Sequence, residues 1–415
     1  MRLPKTTILF LMFAITSSLC LGSLAPKAIA ASAEEIKVGV VFPLTGPVSS
    51  IGIAKQRGLT MAIERINEAG GIQSLGGAKI RLIFGDDEAK PATAMAEGER
   101  LIKDEKVTVL IGSYTSSCSF PLTQVAERNK TPIIVGSSAK KEITERGFKY
   151  TFRTELKAPW IGRDETDFLK WLKKEMNVNI KSVALLYEDS GWGQSWSSSI
   201  KPLLEKYQYN LVADLSYPKD SKDLRSYILK LKAVDPDLTI LESYTEDAIL
   251  LTKTMHELQY YCKGLLATGT GHSSPFFHQG VGGLDDYLIL WESWSPRLPL
   301  PGLEKLAQEF ESRYETPIDP FSAKAYTVGY ILADALERAA SLEKDQIRDA
   351  LRKTNIKAGE NGNTHPYIIA YDEDGQAYNA VGVVSQWQKG VKEVLWPPDF
   401  ATAKPIFPAP EWSKR

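Results

Sequence analysis

Residues 36–71 read IKVGVVFPLTGPVSSIGIAKQRGLTMAIERINEAGG. Two periodicities follow one another in this stretch. Ile36 to Phe42 is a short, continuous, valine-rich run, the pattern of a strand buried on both faces. Leu59, Ala62, Ile63 and Ile66 then recur at i, i+3, i+4 and i+7, which places one apolar stripe on a helix, and Asn67 to Gly71 supplies its end. Strand followed by helix, repeated, is the grammar of a parallel sheet covered by helices.

The repetition holds on moving outward. Lys79 to Phe84, Val107 to Ile111 and Pro132 to Val135 read as further buried strands, and the grammar restarts with Ser182 to Tyr187, Leu211 to Leu215, Leu238 to Leu241 and Gly264 to Ala267. Between these lie helices with stripes at Leu224, Tyr227, Ile228 and Leu231, and at Ala248, Leu251, Thr252 and Met255. The expected fold class is α/β, two doubly wound, Rossmann-like lobes with parallel sheets. An amphipathic helix marked by Leu303, Leu306, Ala307, Phe310 and Tyr314 follows, and then a long apolar helix from Phe321 to Ala340. In the tail, Tyr367 to Tyr371 and Val381 to Trp387 read as an antiparallel pair with Asp374-Gly375 as the turn between them. The Pro-rich end from Pro397 reads as an extended strap.

The chain has 415 residues, 50 of them basic and 51 acidic, enough for two domains and without the basic excess that holds a phosphate backbone. This argues against nucleic acid as a partner. Arg2 and Lys5 precede an apolar run from Ile8 to Leu24, and Ala28-Ile29-Ala30 gives the small-x-small cleavage pattern, so residues 1–30 read as a cleaved secretory signal peptide rather than a membrane anchor. Cleavage removes Arg2, Lys5 and Lys27 and no acid, leaving 47 bases against 51 acids. Cys118 and Cys262 remain, with no CxxC and no Cys/His cluster, and they read as two buried thiols rather than a bridge.

Signatures of catalysis are missing. No GxxxxGK[ST] and no GxSxG occur, Gly191-Trp192-Gly193 and Gly269-Thr270-Gly271 lack the third glycine of a dinucleotide fingerprint, and only four histidines exist. His272 and His278 read as surface residues of a loop, and Asp86-Asp87 as a capped turn after a strand. No cofactor, metal site or catalytic group is expected.

What remains is the set of polar and aromatic loops after the strands, where open parallel sheets bind their ligands. Ser113 to Ser119, SYTSSCS, leads into a helix. Capping that helix needs one hydroxyl and the loop offers several, so Ser116 and Ser117 are candidates for a bound anion at the helix N-terminus. Ser137, Ser138 and Ala139 follow the next strand. In the second half Trp192 and Tyr244 stand in polar loops that read as exposed, where a large ring covers a ligand or fills a core.

Val38 to Pro47 (VGVVFPLTGP), Ala62 to Gly71 (AIERINEAGG), Asp86-Asp87 with Pro91, and Val109 to Gly112 before the serine cluster together resemble the type I periplasmic solute-binding proteins, in particular the leucine/isoleucine/valine and amide-binding receptors of ABC importers. The resemblance implies two lobes joined by a three-strand hinge, lobe 1 being 34–153 plus about 297–362 and lobe 2 being 154–296 plus about 363–415 with the C-terminal strap. It implies that Ser116 binds a ligand carboxylate, that Ser137 and Ala139 fall at the backbone and threonine positions that receive the ligand's ammonium and carboxylate, and that Trp192 and Tyr244 cover the ligand from the second lobe. Two departures stand out. Ala139 replaces the usual threonine, and Ala267 to Thr270 carries no acid where amino-acid receptors hold the ammonium. An ammonium without a counter-ion is poorly compensated for its desolvation, so an amide, a carboxylate or an aromatic acid is expected in place of a simple α-amino acid, unless Glu242 or Glu246 supplies the charge.

The function expected from all this is an extracytoplasmic substrate-binding protein, monomeric and without enzymatic activity. It captures a small polar ligand through Ser116, Ser117, Ser137, Ser138, Ala139, Trp192, Tyr244 and Thr270 and delivers it to a membrane permease. The rival readings are a sensor lobe read by a signalling partner and an exported α/β enzyme, the latter disfavoured by the scarcity of histidine.

Overall fold

The computed structural model describes residues 35–219 and 221–415. The signal segment read at 1–30 lies outside the described residues. The first lobe runs β1 (Ile36–Phe42), α1 (Ser49–Glu68), β2 (Ile80–Asp86), α2 (Pro91–Lys103), β3 (Val109–Gly112), α3 (Ser116–Arg128), β4 (Ile133–Val135) and β5 (Thr151–Arg153). Its five strands are all parallel, in the order β2-β1-β3-β4-β5. The second lobe runs α4 (Ala158–Glu175), β6 (Ser182–Glu188), α5 (Gly191–Lys206), β7 (Asn210–Tyr217), α6 (Arg225–Val234), β8 (Leu238–Glu242), α7 (Thr245–Glu257), β9 (Gly264–Thr268), α8 (Pro275–Val281) and β10 (Ile289–Glu292). The chain returns with α9 (Leu303–Tyr314), α10 (Pro320–Ala339), α11 (Lys344–Arg352) and the short pair β11 (Asn355–Ile356) and β12 (Ile369–Ala370), and ends on β13 (Val383–Gln388) and β14 (Val391–Trp396). The second sheet is ordered β14-β13-β10-β9-β8-β6-β7, parallel from β10 to β7 and antiparallel at β13 and β14.

Each sheet reverses its strand order once, between β1 and β3 in the first and between β6 and β8 in the second. Chain passing from one sheet to the other does so after Arg153, after Glu292 and between Ala377 and Val383. Helix α10 closes the first lobe by lying directly on α1. At their crossing a Cβ on Gly58 would sit 2.0 Å from the Ser322 carbonyl oxygen, so only glycine admits the contact. The Ser322 hydroxyl donates to the Ala54 carbonyl at 3.0 Å beside it.

The tail differs from expectation. Tyr367 to Tyr371 and Val381 to Trp387 do not pair with each other. Asp372 accepts from the backbone N–H groups of Asp374 and Gln376, closing a local turn that returns the chain to β5, where the Ala377 N–H donates to the Arg153 carbonyl at 2.8 Å. The hairpin is β13–β14 instead, turned through Lys389-Gly390 with both residues at positive φ. The last segment is extended, yet it reaches the core, since Phe407 and Trp412 are buried and the Trp412 indole donates to the Tyr260 carbonyl at 2.6 Å. Cys118 and Cys262 are free and buried.

Candidate ligand-binding site

The carboxyl ends of β3, β4, β6, β8 and β9 face a cleft between the two sheets. The first wall is formed by Tyr114, Ser116, Ser137, Ser138 and Ala139 from the loops after β3 and β4, with Phe321 and Lys324 from α10. Trp192, Tyr244, Gly269 and Ser273 form the opposite wall, and Glu155, Trp291, Glu292 and Ser293 lie where the chain passes between sheets. The two lobes touch: the Lys141 backbone N–H donates to Ser195 Oγ at 3.3 Å, and across the cleft the Tyr114 and Tyr244 rings are in contact.

Of the residues expected from sequence, Ser116, Ser137, Ser138, Ala139, Trp192 and Tyr244 all line this cleft. Ser117 does not; it faces the start of α5, where a Cβ on Gly191 would lie 3.8 Å from its nitrogen. The Thr270 side chain lies outside the described part of the structure. The cap of α3 is Thr115, whose hydroxyl accepts from the Cys118 N–H, so the serines after it are not used for capping. Trp192 and Tyr244 are not exposed, at 5% each, because the opposite lobe covers them. His272 is not a surface residue either. It is 1% exposed, burial pushes its imidazole down to about 3, and neither ring nitrogen has a hydrogen-bond partner. His278 is partly exposed, with Nδ1 2.6 Å from Asp285 Oδ2 and its ring stacked on Trp387. Asp86 and Asp87 do organise the turn after β2, accepting from the N–H groups of Leu44 and Ala89 at 2.8 Å each.

Charged groups at the cleft come from positions that the sequence reading passed over. Lys55 of α1 is buried and donates to Ser137 Oγ at 2.7 Å. Lys324 of α10 lies 2.5 Å from Glu155 and donates to Ser293 Oγ at 3.0 Å. Burial would raise the Glu155 carboxyl, but the Lys324 ammonium outweighs it and holds it below the usual carboxylate range. Glu292 pairs with Lys392 at 2.8 Å through one oxygen. Both lysines carry a signal that could have found them. Lys55 stands four residues from Ile51 and four from Leu59, and Lys324 three from Phe321 and four from Val328, so each interrupts an apolar stripe.

Four atoms on the walls are buried and have no partner in hydrogen-bond geometry among the described residues: Tyr114 Oη, Trp192 Nε1, which lies near the Glu242 carboxyl without good alignment, Ser273 Oγ and Glu292 Oε1. Buried polar groups are almost always paired, because each unpaired one costs about 1–3 kcal/mol. A small polar molecule lying in the cleft would meet all four, as acceptor to the indole and as donor to the carboxylate oxygen. Residues 35–391 match the family described as periplasmic binding protein. The chain belongs to the periplasmic binding protein family. A Leu/Ile/Val-binding protein homolog (homolog 7) of Brucella melitensis is 28% identical over 400 residues, covering 91% of this chain and 96% of the other. Among solved structures, a branched-chain amino acid transporter substrate-binding protein of Streptococcus pneumoniae in complex with isoleucine superposes with a TM-score of 0.77 at 20% identity, over 87% of this chain and 99% of that one. A solute-binding protein of an ABC transporter from R. palustris in complex with benzoate gives a TM-score of 0.77 at 19% identity, over 87% and 96%. These likenesses establish that this periplasmic binding protein has the two-lobed type I fold.

Proposed function

We propose that this protein is the extracytoplasmic substrate-binding component of an ABC importer, exported through a cleaved signal peptide at residues 1–30 and acting as a monomer without catalysis. It closes two lobes on a small polar molecule and presents it to a membrane permease. The two lobes are taken as 34–153 plus about 297–362 and 154–296 plus about 363–415, with 363–377 transferred to the first because Ala377 is hydrogen-bonded to Arg153 of β5. The observation that carries the reading is the set of four unpaired buried atoms, contributed by both walls of one cleft. Ser116, Ser137, Ser138 and Ala139 hold the ligand's polar end, and Trp192 and Tyr244 cover it.

The bound neighbours support ligands as different as isoleucine and benzoate on this fold. Both carry a carboxylate. A thermal-shift screen over α-amino acids, amides, and aliphatic and aromatic carboxylates tests the reading, since a ligand that binds only the folded state raises the melting temperature. At least one class raises Tm, and Ser116→Ala together with Trp192→Ala lowers that rise. Unchanged shifts in both variants would move the site elsewhere.

A further inference from the structure

Lys55 is 1% exposed, and Ser137 Oγ is its hydrogen-bond partner at 2.7 Å. It takes part in no ion pair among the described residues, whereas the other lysine at the cleft, Lys324, has Glu155 at 2.5 Å. A buried cation without a counter-ion is among the least favourable arrangements a core can hold, unless a charge arrives from outside. Ser137, the hydroxyl in front of Lys55, accepts from that ammonium and donates to the Gly136 carbonyl at 2.9 Å; it is on the cleft wall, beside Ser138 and the N-terminus of α3, which also favours negative charge.

The acids of the cleft have the opposite status. Glu155 is matched by Lys324 and Glu292 by Lys392, so each wall carboxylate already has its own ammonium. Glu188 and Glu242 are buried in the second lobe, outside the lining of the cleft but close enough to act on Tyr114, Trp192 and Tyr244, which line it. Burial holds the Glu188 carboxyl up at about 7. Glu242 is raised further, by burial first and by Glu188 second. A ligand ammonium would find no uncompensated negative charge on these walls. A ligand carboxylate would find an ammonium, that of Lys55, that is in contact with no carboxylate.

We infer that the end of the cleft at Ser137 is an anion pole charged by Lys55, and that the ligand is a small monocarboxylate whose remaining polar group, if it has one, is an uncharged hydroxyl or amide; the inference rests on the cleft being the ligand site. Lys55 acts through Ser137 and is a specificity-determining residue rather than a contact surface. The groups facing its ammonium are Lys324 and Asp319 from α10 and its cap, Glu155 from the chain leaving β5, and Asp87 from the turn after β2. Burial first, and Lys324 second, bring the Lys55 ammonium down to about 7, while the three acids pull the other way. A carboxylate arriving at Ser137 favours the charged form. Above pH 7 binding therefore takes up a proton, and affinity falls as pH rises from 7 towards 9.

The test uses a matched series on the intact mature protein: L-leucine, 2-hydroxy-4-methylpentanoate, 4-methylpentanoate, leucinamide, benzoate and benzamide, followed by calorimetry and thermal shift. The expected result is stabilisation by the hydroxy acid, 4-methylpentanoate or benzoate, at least about tenfold weaker binding of leucine than of its hydroxy analogue, and no shift with leucinamide or benzamide. Lys55→Met weakens the best carboxylate by about tenfold or more, and Lys55→Arg by less. Should Lys55→Met not fold, calorimetry of the wild type at pH 8 in phosphate and in Tris reads proton uptake directly, with a fraction of one proton expected. Leucine as the best ligand, amides binding as well as acids, equal affinity in Lys55→Met, or no proton uptake would each overturn the inference while leaving the cleft reading intact. Absence of any shift across the matched series would overturn it too. The cleft reading itself fails only if the wider panel gives no shift.

Discussion

The Tyr114 and Tyr244 rings meet edge to face, with 5.8 Å between centroids and 68° between planes, and each ring belongs to a different lobe. Tyr114 also packs edge-on against Phe321 at 5.5 Å, so the contact across the cleft is anchored on α10. Such ring pairs contribute about 0.5–1.5 kcal/mol beyond the area they bury. A contact between lobes is made only when they are together, and its energy is therefore part of the closing equilibrium.

Replacing Tyr244 by alanine is expected to weaken binding of the best ligand about tenfold, while Tyr244→Phe keeps most of the affinity because the ring pair survives. Isothermal calorimetry on both variants decides the point. Equal losses in the two would assign the effect to the hydroxyl instead of the ring.

Trp192 offers an indole N–H without a partner in hydrogen-bond geometry, directly on the cleft. Trp192→Phe retains the cover and deletes the donor, and is expected to reduce affinity by about 1 kcal/mol, with Trp192→Ala losing more. Ligand titration should also change the intrinsic fluorescence of the wild type and leave a smaller change in Trp192→Phe.

Lys324 and Glu155 are buried together at 2.5 Å and join α10 to the chain leaving β5. Removing one partner leaves the other charge uncompensated. Lys324→Met is expected to destabilise by roughly 3–5 kcal/mol in urea unfolding, and the double variant Lys324→Met/Glu155→Gln to recover much of that loss. A double variant no better than the single one would show that packing, not charge, holds the site.

Glu165 of α4 is fully buried, accepting from the Trp196 indole at 2.9 Å and from the Thr268 hydroxyl, and burial pushes its carboxyl up to about 8. In the folded chain this group keeps its proton from about pH 4.5 to about 8, where the unfolded chain has lost it. Its contribution to stability is therefore present at low pH and declines as pH rises through that window. Subtracting the pH profile of Glu165→Gln from that of the wild type isolates the term, expected to be of the order of a few kcal/mol by pH 8. A flat difference would mean that Glu165 ionises normally.

Elements with strong local periodicity were legible from sequence. The first strand was expected over Ile36 to Phe42 and forms over the same residues, and the stripe Leu59, Ala62, Ile63, Ile66 lies on α1. Four strands escaped: β5, β10 and β11, because two to four residues carry too little pattern, and β14, whose six residues set Lys392 and Glu393 among the apolar ones. The hairpin was misplaced because Asp374-Gly375 is a strong turn signal whichever strands flank it, whereas pairing with β10 is a tertiary choice. At the site, the loops after the strands were legible through their hydroxyls and rings. Lys55, Glu155, Glu292 and Lys324 were not, since their partners lie far away in the chain: Lys55 and Ser137 are 82 residues apart, and Glu155 and Lys324 are 169 apart. Exposure of Trp192 and Tyr244 was misjudged for a related reason, because what covers each is the other lobe.

The central claim is that a small molecule sits between the walls bearing Ser116 and Ser137 on one side and Trp192 and Tyr244 on the other. A crystal structure of the mature protein grown with whichever compound raises Tm most tests it directly. That compound is expected within this cleft, accepting from the Trp192 indole and with its acid group at Ser137. Density at any other surface, with the cleft closed and empty, would contradict it.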